Sequence, residues 1–361
     1  MKIGLIGLNQ TGKTTLFNLL TGKDETGNSI GGKNTATIGT CTVPDERVDF
    51  LSEVYKPKKT TYAKIELTDI AGFSPSDDSR SSGASKFLND VRPCNALVYV
   101  LRAFDSTAAA HLSETIDPAR DLEAIETEML FADLESIERR IERIKAGKKI
   151  TKEHEAEIAL LQRCFEWMEK GNSILDMDLS DQERISIRSF TLLTEKPRLA
   201  VVNVDENRWR TKNWPNQDAL RLMCESFNIP LLELCVDMEL EISRLPEEDK
   251  QIFMADMNIN QPGTATLAQS VYKLLNLISF LTYGADEVRA WTINEGTAAK
   301  TAAGKIHTDI ERGFIRAEVV KYQDFYELST MAKVKEKGLF RLEGKEYVVE
   351  DGDIITFRFN V

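Results

Sequence analysis

Hydrophobic positions fall into three textures along the chain. In the first hundred residues they come as short runs: KIGLIGL stops at glycine, YAKIELTDIAG alternates into Asp69, and NALVYVLRAF is almost continuous. Short apolar runs bounded by turn residues predict buried strands. Between them GKTTLFNLLTG has a helical spacing that Gly22 ends. KDETGNSIGGKNTA and FSPSDDSRSSGAS are polar, Gly- and Ser-rich stretches that predict flexible loops. From about residue 116 the period changes. Leu122, Ile125, Met129, Ile137, Ile141 and Ile144 recur at spacings near three and four, and Ile158, Leu161, Phe165 and Met168 resume the pattern after KAGKKITKE. This predicts two long amphipathic helices, an antiparallel pair with a solvated charged face. Residues 198–203 and 229–235 return to strand-like runs with helical stretches around them. After Phe280 the segments EVRAWTI, FIRAEVV, LFRLEG, KEYVVE and DIITFRFNV alternate, with turns expected at Glu343-Gly344 and Asp351-Gly352.

The junction of the first strand and first helix carries the clearest chemistry. GLNQTGKT, residues 7–14, fits G-x-x-x-x-G-K-[ST] and sits after a strand and at the opening of a helix, as a phosphate-binding loop must. Gly7 and Gly12 let the backbone wrap phosphate oxygens. The loop through Asn9, Gln10, Thr11, Gly12, Lys13, Thr14 and Thr15 presents its amides to negative charge at a helix N-terminus. Lys13 would bridge the β- and γ-phosphates and the Thr14 hydroxyl would ligate Mg²⁺. DIAG, residues 69–72, adds Asp69 as a Mg²⁺ partner and the Gly72 amide as a sensor of the γ-phosphate. Thr35, Thr37 and Thr40 are open candidates for a further Mg²⁺ ligand, Thr37 being the one expected. Phe73 stands where related GTPases carry a Gln that orients the attacking water, so slow hydrolysis is expected.

With this motif the alternation of strands and helices predicts an α/β chain: a P-loop NTPase G domain with a mostly parallel sheet at 1–115 and 190–279, a helical coiled-coil-like insertion at 116–189, and a small β-rich domain at 280–361. Bulk properties narrow the class. No stretch of the 361 residues approaches the ~18 consecutive apolar positions of a membrane span, and 42% hydrophobic with 29% charged residues is a soluble composition. MKIGLIGLN lacks a cleavage site and is expected to be the first strand rather than a signal peptide. Five scattered cysteines and three histidines suggest neither a disulfide frame nor a His-based metal centre, which makes cytoplasm the expectation. A net charge of −12 argues against coating nucleic acid electrostatically, so no DNA partner is expected. From Leu281 onward 12 basic residues face 14 acidic ones.

MKIGLIGLNQTGKTTLFNLLTG, VPDERVDFLSEVYKPKK, DIAG, DPARDLEAIETEMLFADLE, NVDE and the last eighty residues together resemble the YchF, or Obg-like ATPase, family. The resemblance spans nearly the whole chain. It implies that the C-terminal part is a TGS domain, a ubiquitin-like β-grasp. It further implies binding and slow hydrolysis of ATP in preference to GTP, association with ribosomes, and contact with RNA through the TGS-like domain. Three stretches depart from the family pattern. Asn9-Gln10, before the variable position Thr11, stand where the family has Pro-Asn, the family's switch I stretch is not recognisable in residues 33–39, and Cys235-Val236-Asp237 replaces a Ser-Ala-Lys base loop in which only the backbone amide of Cys235 can serve.

The base loop offers an argument of its own. A guanine reader has Asn-Lys-x-Asp where this chain has Asn203-Val204-Asp205-Glu206. The Asp of such a reader accepts from guanine N1–H and the 2-amino group, and adenine has neither donor. The amide of Asn203 has a donor and an acceptor that match N7 and N6–H₂ of adenine. Glu206 is a methylene too long for guanine, and Val204 lacks the Lys stem that would cover the base. Losing the charge-assisted pair removes roughly 1–3 kcal/mol of guanine affinity, a preference for ATP of about tenfold or more. Two other readings start from the same residues: a GTP-preferring GTPase, and a non-enzymatic scaffold that nucleotide merely stabilises while the TGS-like domain holds a partner. A small-molecule kinase is disfavoured by DIAG at this spacing.

Overall fold

The computed structural model describes residues 1–22, 36–72, 82–105, 115–147 and 149–360. The chain forms two compact units: Met1–Gly39 with Glu66–Thr264, and Thr40–Ile65 with Ala265–Val361.

The first unit is built on a six-stranded sheet. Its strands are β1 (Lys2–Ile6), β2 (Thr37–Val43), β4 (Ala63–Asp69), β5 (Ala96–Ala103), β6 (Arg198–Val204) and β7 (Leu231–Leu234), in spatial order β2-β4-β1-β5-β6-β7. The pairs β4–β1, β1–β5, β5–β6 and β6–β7 are all parallel. Every residue of β5 and of β6 is buried, as expected of parallel strands covered on both faces. The helices α1 (Lys13–Thr21), α3 (Ser82–Val91), α7 (Glu206–Thr211), α8 (Gln217–Ser226), α9 (Val236–Arg244) and α10 (Glu247–Asp256) follow the strands in α/β alternation. α2 (Glu46–Tyr55) belongs to the other unit.

Two long helices interrupt this alternation: α4 (Pro118–Lys145) and α5 (Lys152–Met168). α4 starts where the side chain of Asp117 accepts from the amides of Ala119 and Arg120, with Pro118 in the first turn. Its apolar stripe serves two cores in succession. Leu122, Ile125 and Met129 pack with Leu97, Tyr99, Ala200 and Val202 of the sheet. Ile137 packs with Leu160, Leu161, Cys164 and Met168 of α5, and with Ile187 of the short helix α6 (Asp181–Ile187). Between the two cores Asp133, fully buried, accepts from the amides of Leu193 (2.9 Å) and Thr194 (2.8 Å) and from the Thr194 hydroxyl (2.9 Å). Half of the predicted insertion helix is thus a wall of the nucleotide-domain core, and a single polar anchor marks where it leaves.

The second unit has a mixed sheet. Its strands are β3 (Lys59–Thr61), β8 (Leu277–Thr282), β9 (Glu287–Asn294), β10 (Phe314–Val320), β11 (Arg341–Glu343) and β12 (Ile354–Phe359), in the order β11-β10-β12-β8-β9-β3. β8 and β9 form an antiparallel hairpin, and β12 lies parallel to β8 and antiparallel to β10. α11 (Gly263–Leu274) leads into this sheet. α12 (Ala299–Ile306) is buried through the small residues Ala299, Ala302 and Ala303, which meet Phe280, Ile293, Val319 and Phe357. The remaining helices are α13 (Thr308–Arg312), α14 (Tyr322–Leu328) and α15 (Met331–Glu336). A hairpin, a covering helix and a last strand parallel to the first make a β-grasp arrangement.

Two details differ from the pattern-based expectation. KEYVVE is not a strand: only Val348 bridges, to Ala298. Its alternation instead buries Val349 and leads the Tyr347 hydroxyl to the buried carboxylate of Asp353 (2.7 Å), which also accepts from Lys321 (2.8 Å) and the Glu350 amide (2.9 Å). The turn expected at Glu343-Gly344 falls at Lys345-Glu346, while Asp351-Gly352 is a turn as expected. The segment VPDERVDFLSEVYKPKK also has a structural purpose. It supplies α2 to the second unit, where the Phe50 ring lies 4.8 Å from that of Tyr326 and the Tyr55 ring 4.5 Å from that of Tyr283. Arg47 joins Asp45 and Asp351, each at 2.8 Å.

Candidate nucleotide site

β1 ends at Ile6 and the phosphate loop follows. Gly12, with φ 91°, lies so near the Asn203 amide that a Cβ there would be 2.5 Å from Nδ2, so only glycine fits. Gln10 is also left-handed (φ 62°), a conformation that is costly for a residue with a Cβ and better suited to Asn. Lys13 is buried at the base of the loop, where its ammonium donates to the carbonyls of Gly7 (3.1 Å) and Leu8. Burial lowers its pKa to about 8, against the attraction of Asp69.

The Thr14 hydroxyl is exposed and donates to Asp69 Oδ2 at 2.8 Å. Burial raises the pKa of the Asp69 carboxyl, while the Thr14 bond and the Lys13 charge oppose the rise. One hydroxyl and one carboxylate at the mouth of a phosphate loop, with a buried ammonium nearby, are a suitable donor set for a hard divalent cation. Asn9 leans onto the DIAG turn: a Cβ on Gly72 would collide with Asn9 Oδ1. The loop and the turn therefore touch through Asn9 and Gly72. Thr37 and Thr40 are exposed on the edge strand β2. Thr35 and Phe73 lie outside the described residues, as do most of the two predicted loops. Thr11 is buried, its hydroxyl 3.4 Å from the Leu8 carbonyl, and Thr15 is half-buried in the first turn of α1.

The base loop is the least legible part of the site from sequence. Asn203 does not present a free amide: Nδ2 donates to the Thr11 carbonyl (3.1 Å) and Oδ1 accepts from the Val236 amide (3.1 Å). It is a strut between the phosphate loop and the turn after β7, with one N–H and one lone pair left for other partners. Val204 is buried in the sheet core and does not cover the site. The Cys235 side chain is buried in the same core, which raises its pKa to about 11, so only its backbone faces the loop chemistry. Asp205 caps α7 by accepting from the Arg208 amide at 3.0 Å. Glu206, the first residue of α7, is exposed and accepts from Arg210 at 2.7 Å. Sequence reasoning missed Val236, whose role is carried by a backbone amide and leaves no side-chain signal. It also missed Arg208, which fastens α7 to the Ala103 carbonyl (2.9 Å).

Comparison with known proteins agrees with this geometry. A family model described as "50S ribosome-binding GTPase" matches residues 2–132, and a YchF GTPase C-terminal model, described as "Protein of unknown function (DUF933)", matches residues 277–360. The protein named ribosome-binding ATPase YchF from Shigella flexneri is 38% identical over 370 residues, covering 100% of this chain and 99% of that protein. The chain belongs to the YchF family. The Bacillus subtilis YchF is likewise 38% identical over 361 residues, with 99% of each chain covered. A solved YchF GTPase from Schizosaccharomyces pombe superposes with a TM-score of 0.86 at 32% identity, covering 99% of this chain and 97% of that one. The resemblance drawn from the motifs therefore holds over both units and the helical pair.

Proposed function

We propose that this YchF-family chain binds and slowly hydrolyses ATP in preference to GTP, and that it acts as a nucleotide-dependent switch on ribosomes in the cytoplasm. The observation that carries the proposal is the Thr14–Asp69 pair beside the buried ammonium of Lys13. ATP phosphates would take the ammonium from the Gly7 and Leu8 carbonyls and receive the amides of Gln10 to Thr15. Thr14, directly, and Asp69, through water, would hold Mg²⁺, which when bound neutralises phosphate charge. Thr37 is proposed as a further ligand from the edge strand. The Gly72 amide would respond to the γ-phosphate and pass its presence to Asn9. At the base, Glu206 projects from the start of α7 with a longer reach than the guanine-reading Asp, while Asn203 keeps the loop in register through Thr11 and Val236. Ribosome association follows the names of the relatives, and the β-grasp unit is proposed to be a TGS domain.

Turnover separates this reading from a nucleotide-stabilised scaffold. Wild-type protein should release phosphate from Mg-ATP slowly and Lys13→Ala should release none. Equal release by the two proteins would contradict an enzymatic site.

A further inference from the structure

The sequence resemblance points to the C-terminal unit as the RNA-contacting part, yet the charge lies elsewhere. Residues 139–152, the end of α4 and the turn into α5, hold seven basic residues against the single acid Glu142, a net +6 in a chain of net −12. The C-terminal stretch from Leu281 has 12 basic and 14 acidic residues, and its most basic run, residues 333–345, reaches only +3.

The positions at the tip are exposed. Arg143, Lys145, Lys149 and Lys152 all face solvent, and among the described residues none has an acid within ion-pair distance. Arg139 and Arg140, one turn back, are already paired with Glu135 and Glu157. Helix stability explains only part of the cluster. Arg143 and Lys145 lie in the last turn of α4, where cations complement the helix dipole. Lys149 lies in the turn, and Lys152 is the first residue of α5, where the dipole opposes a cation. The helix dipole gives no reason for positive charge at these last two positions. On the flank of the same helix an open cleft of about 540 Å³ is lined by Arg92, Arg143 and the ion-paired Arg139 and Arg140, with the acid Glu135 among them, and Arg adds planar donors suited to phosphate oxygens. From Asp133 to the end of α4 the helix runs twelve residues, about 18 Å, beyond the polar anchor.

We infer that the basic tip of the α4–α5 hairpin, with the arginine cleft at its flank, is the surface that docks on the phosphate backbone of ribosomal RNA. The inference rests on the ribosome reading above. Neutralising phosphates with Lys and Arg releases counterions, so binding through this tip must weaken steeply with salt.

The test compares full-length wild type with two variants, each removing four charges. One combines Arg143→Gln, Lys145→Gln, Lys149→Gln and Lys152→Gln. The other combines Lys300→Gln, Arg312→Gln, Lys333→Gln and Lys337→Gln in the C-terminal unit. Both should keep the wild-type rate of ATP hydrolysis, which verifies folding. Binding is measured to purified ribosomes and to protein-stripped ribosomal RNA across a salt series. The hairpin variant should bind both at least about tenfold more weakly, with a log–log salt slope smaller by about 3, and the C-terminal variant should stay within about twofold of wild type. Unchanged binding by the hairpin variant, or a loss confined to ribosomes while stripped RNA binds as before, overturns the inference; the second result would indicate a ribosomal protein. Wild type that binds RNA but not ribosomes overturns the ribosome reading and leaves the RNA surface standing. Wild type that binds neither overturns both.

Discussion

Lys13 is held in a buried environment that disfavours its charge. Burial depresses its pKa to about 8, and a bound phosphate would favour its charged form, so nucleotide binding at this loop should take up a proton above that pH. Affinity for Mg-ATP should fall as pH rises through about 8, by up to about tenfold per unit, and calorimetric titrations at pH 7, 8 and 9 would reveal it. Stability of the nucleotide-free protein moves the other way. The unfolded amine keeps its proton up to 10.5 while the folded one loses it near 8, so between those values this group makes folding more favourable as pH rises. Gln10 carries a second small cost, a left-handed φ of 62°. Gln10→Asn should raise stability by up to about 1 kcal/mol in a urea titration. The phosphate-loop residues were legible because a strand, a glycine loop and a helix must stand in that order to cradle phosphate. Asn203 was not, since an amide that can pair with adenine can equally pair with Thr11 and Val236, and only the fold decides which it meets first.

Among the elements, α4 departs furthest from its periodic pattern. The spacing of its apolar residues is uniform, but the partners change from the parallel sheet to α5, and periodicity cannot reveal a change of partner. Asp133 marks the change. Asp133→Ala would strand two backbone amides and a hydroxyl, costing roughly 2–4 kcal/mol, read as a lower denaturant midpoint with unaltered secondary structure. KEYVVE illustrates the opposite error. Alternation reports which side of an extended segment is buried, and Val349 with Tyr347 satisfies that without a paired strand. β2 and β3 gave little signal because one is a largely exposed edge and the other only three residues long. At the base loop, Glu206 opens α7 on the surface, where its partner is Arg210. Glu206→Asp should strengthen Mg-GTP binding by about fivefold or more, roughly 1–3 kcal/mol, by shortening the carboxylate to the reach guanine needs.

On the scale of the whole molecule, the order of elements was legible and the division of the chain was not. The parallel nucleotide-domain sheet, the helical pair and the β-rich end all follow from period and turn chemistry. Residues 40–65, which run from within β2 to within β4, nevertheless join the C-terminal unit. Their membership depends on the rings of Phe50 and Tyr55 and on Arg47, contacts made across more than two hundred residues. A family resemblance could mark VPDERVDFLSEVYKPKK as distinctive without saying what it packs against. The proposed function turns on adenine preference at the base loop. Calorimetric titration of the nucleotide-free protein with Mg-ATP and Mg-GTP under identical conditions measures that preference. The Kd for ATP should be lower by about tenfold or more; equal values, or tighter binding of GTP, would overturn the ATP assignment.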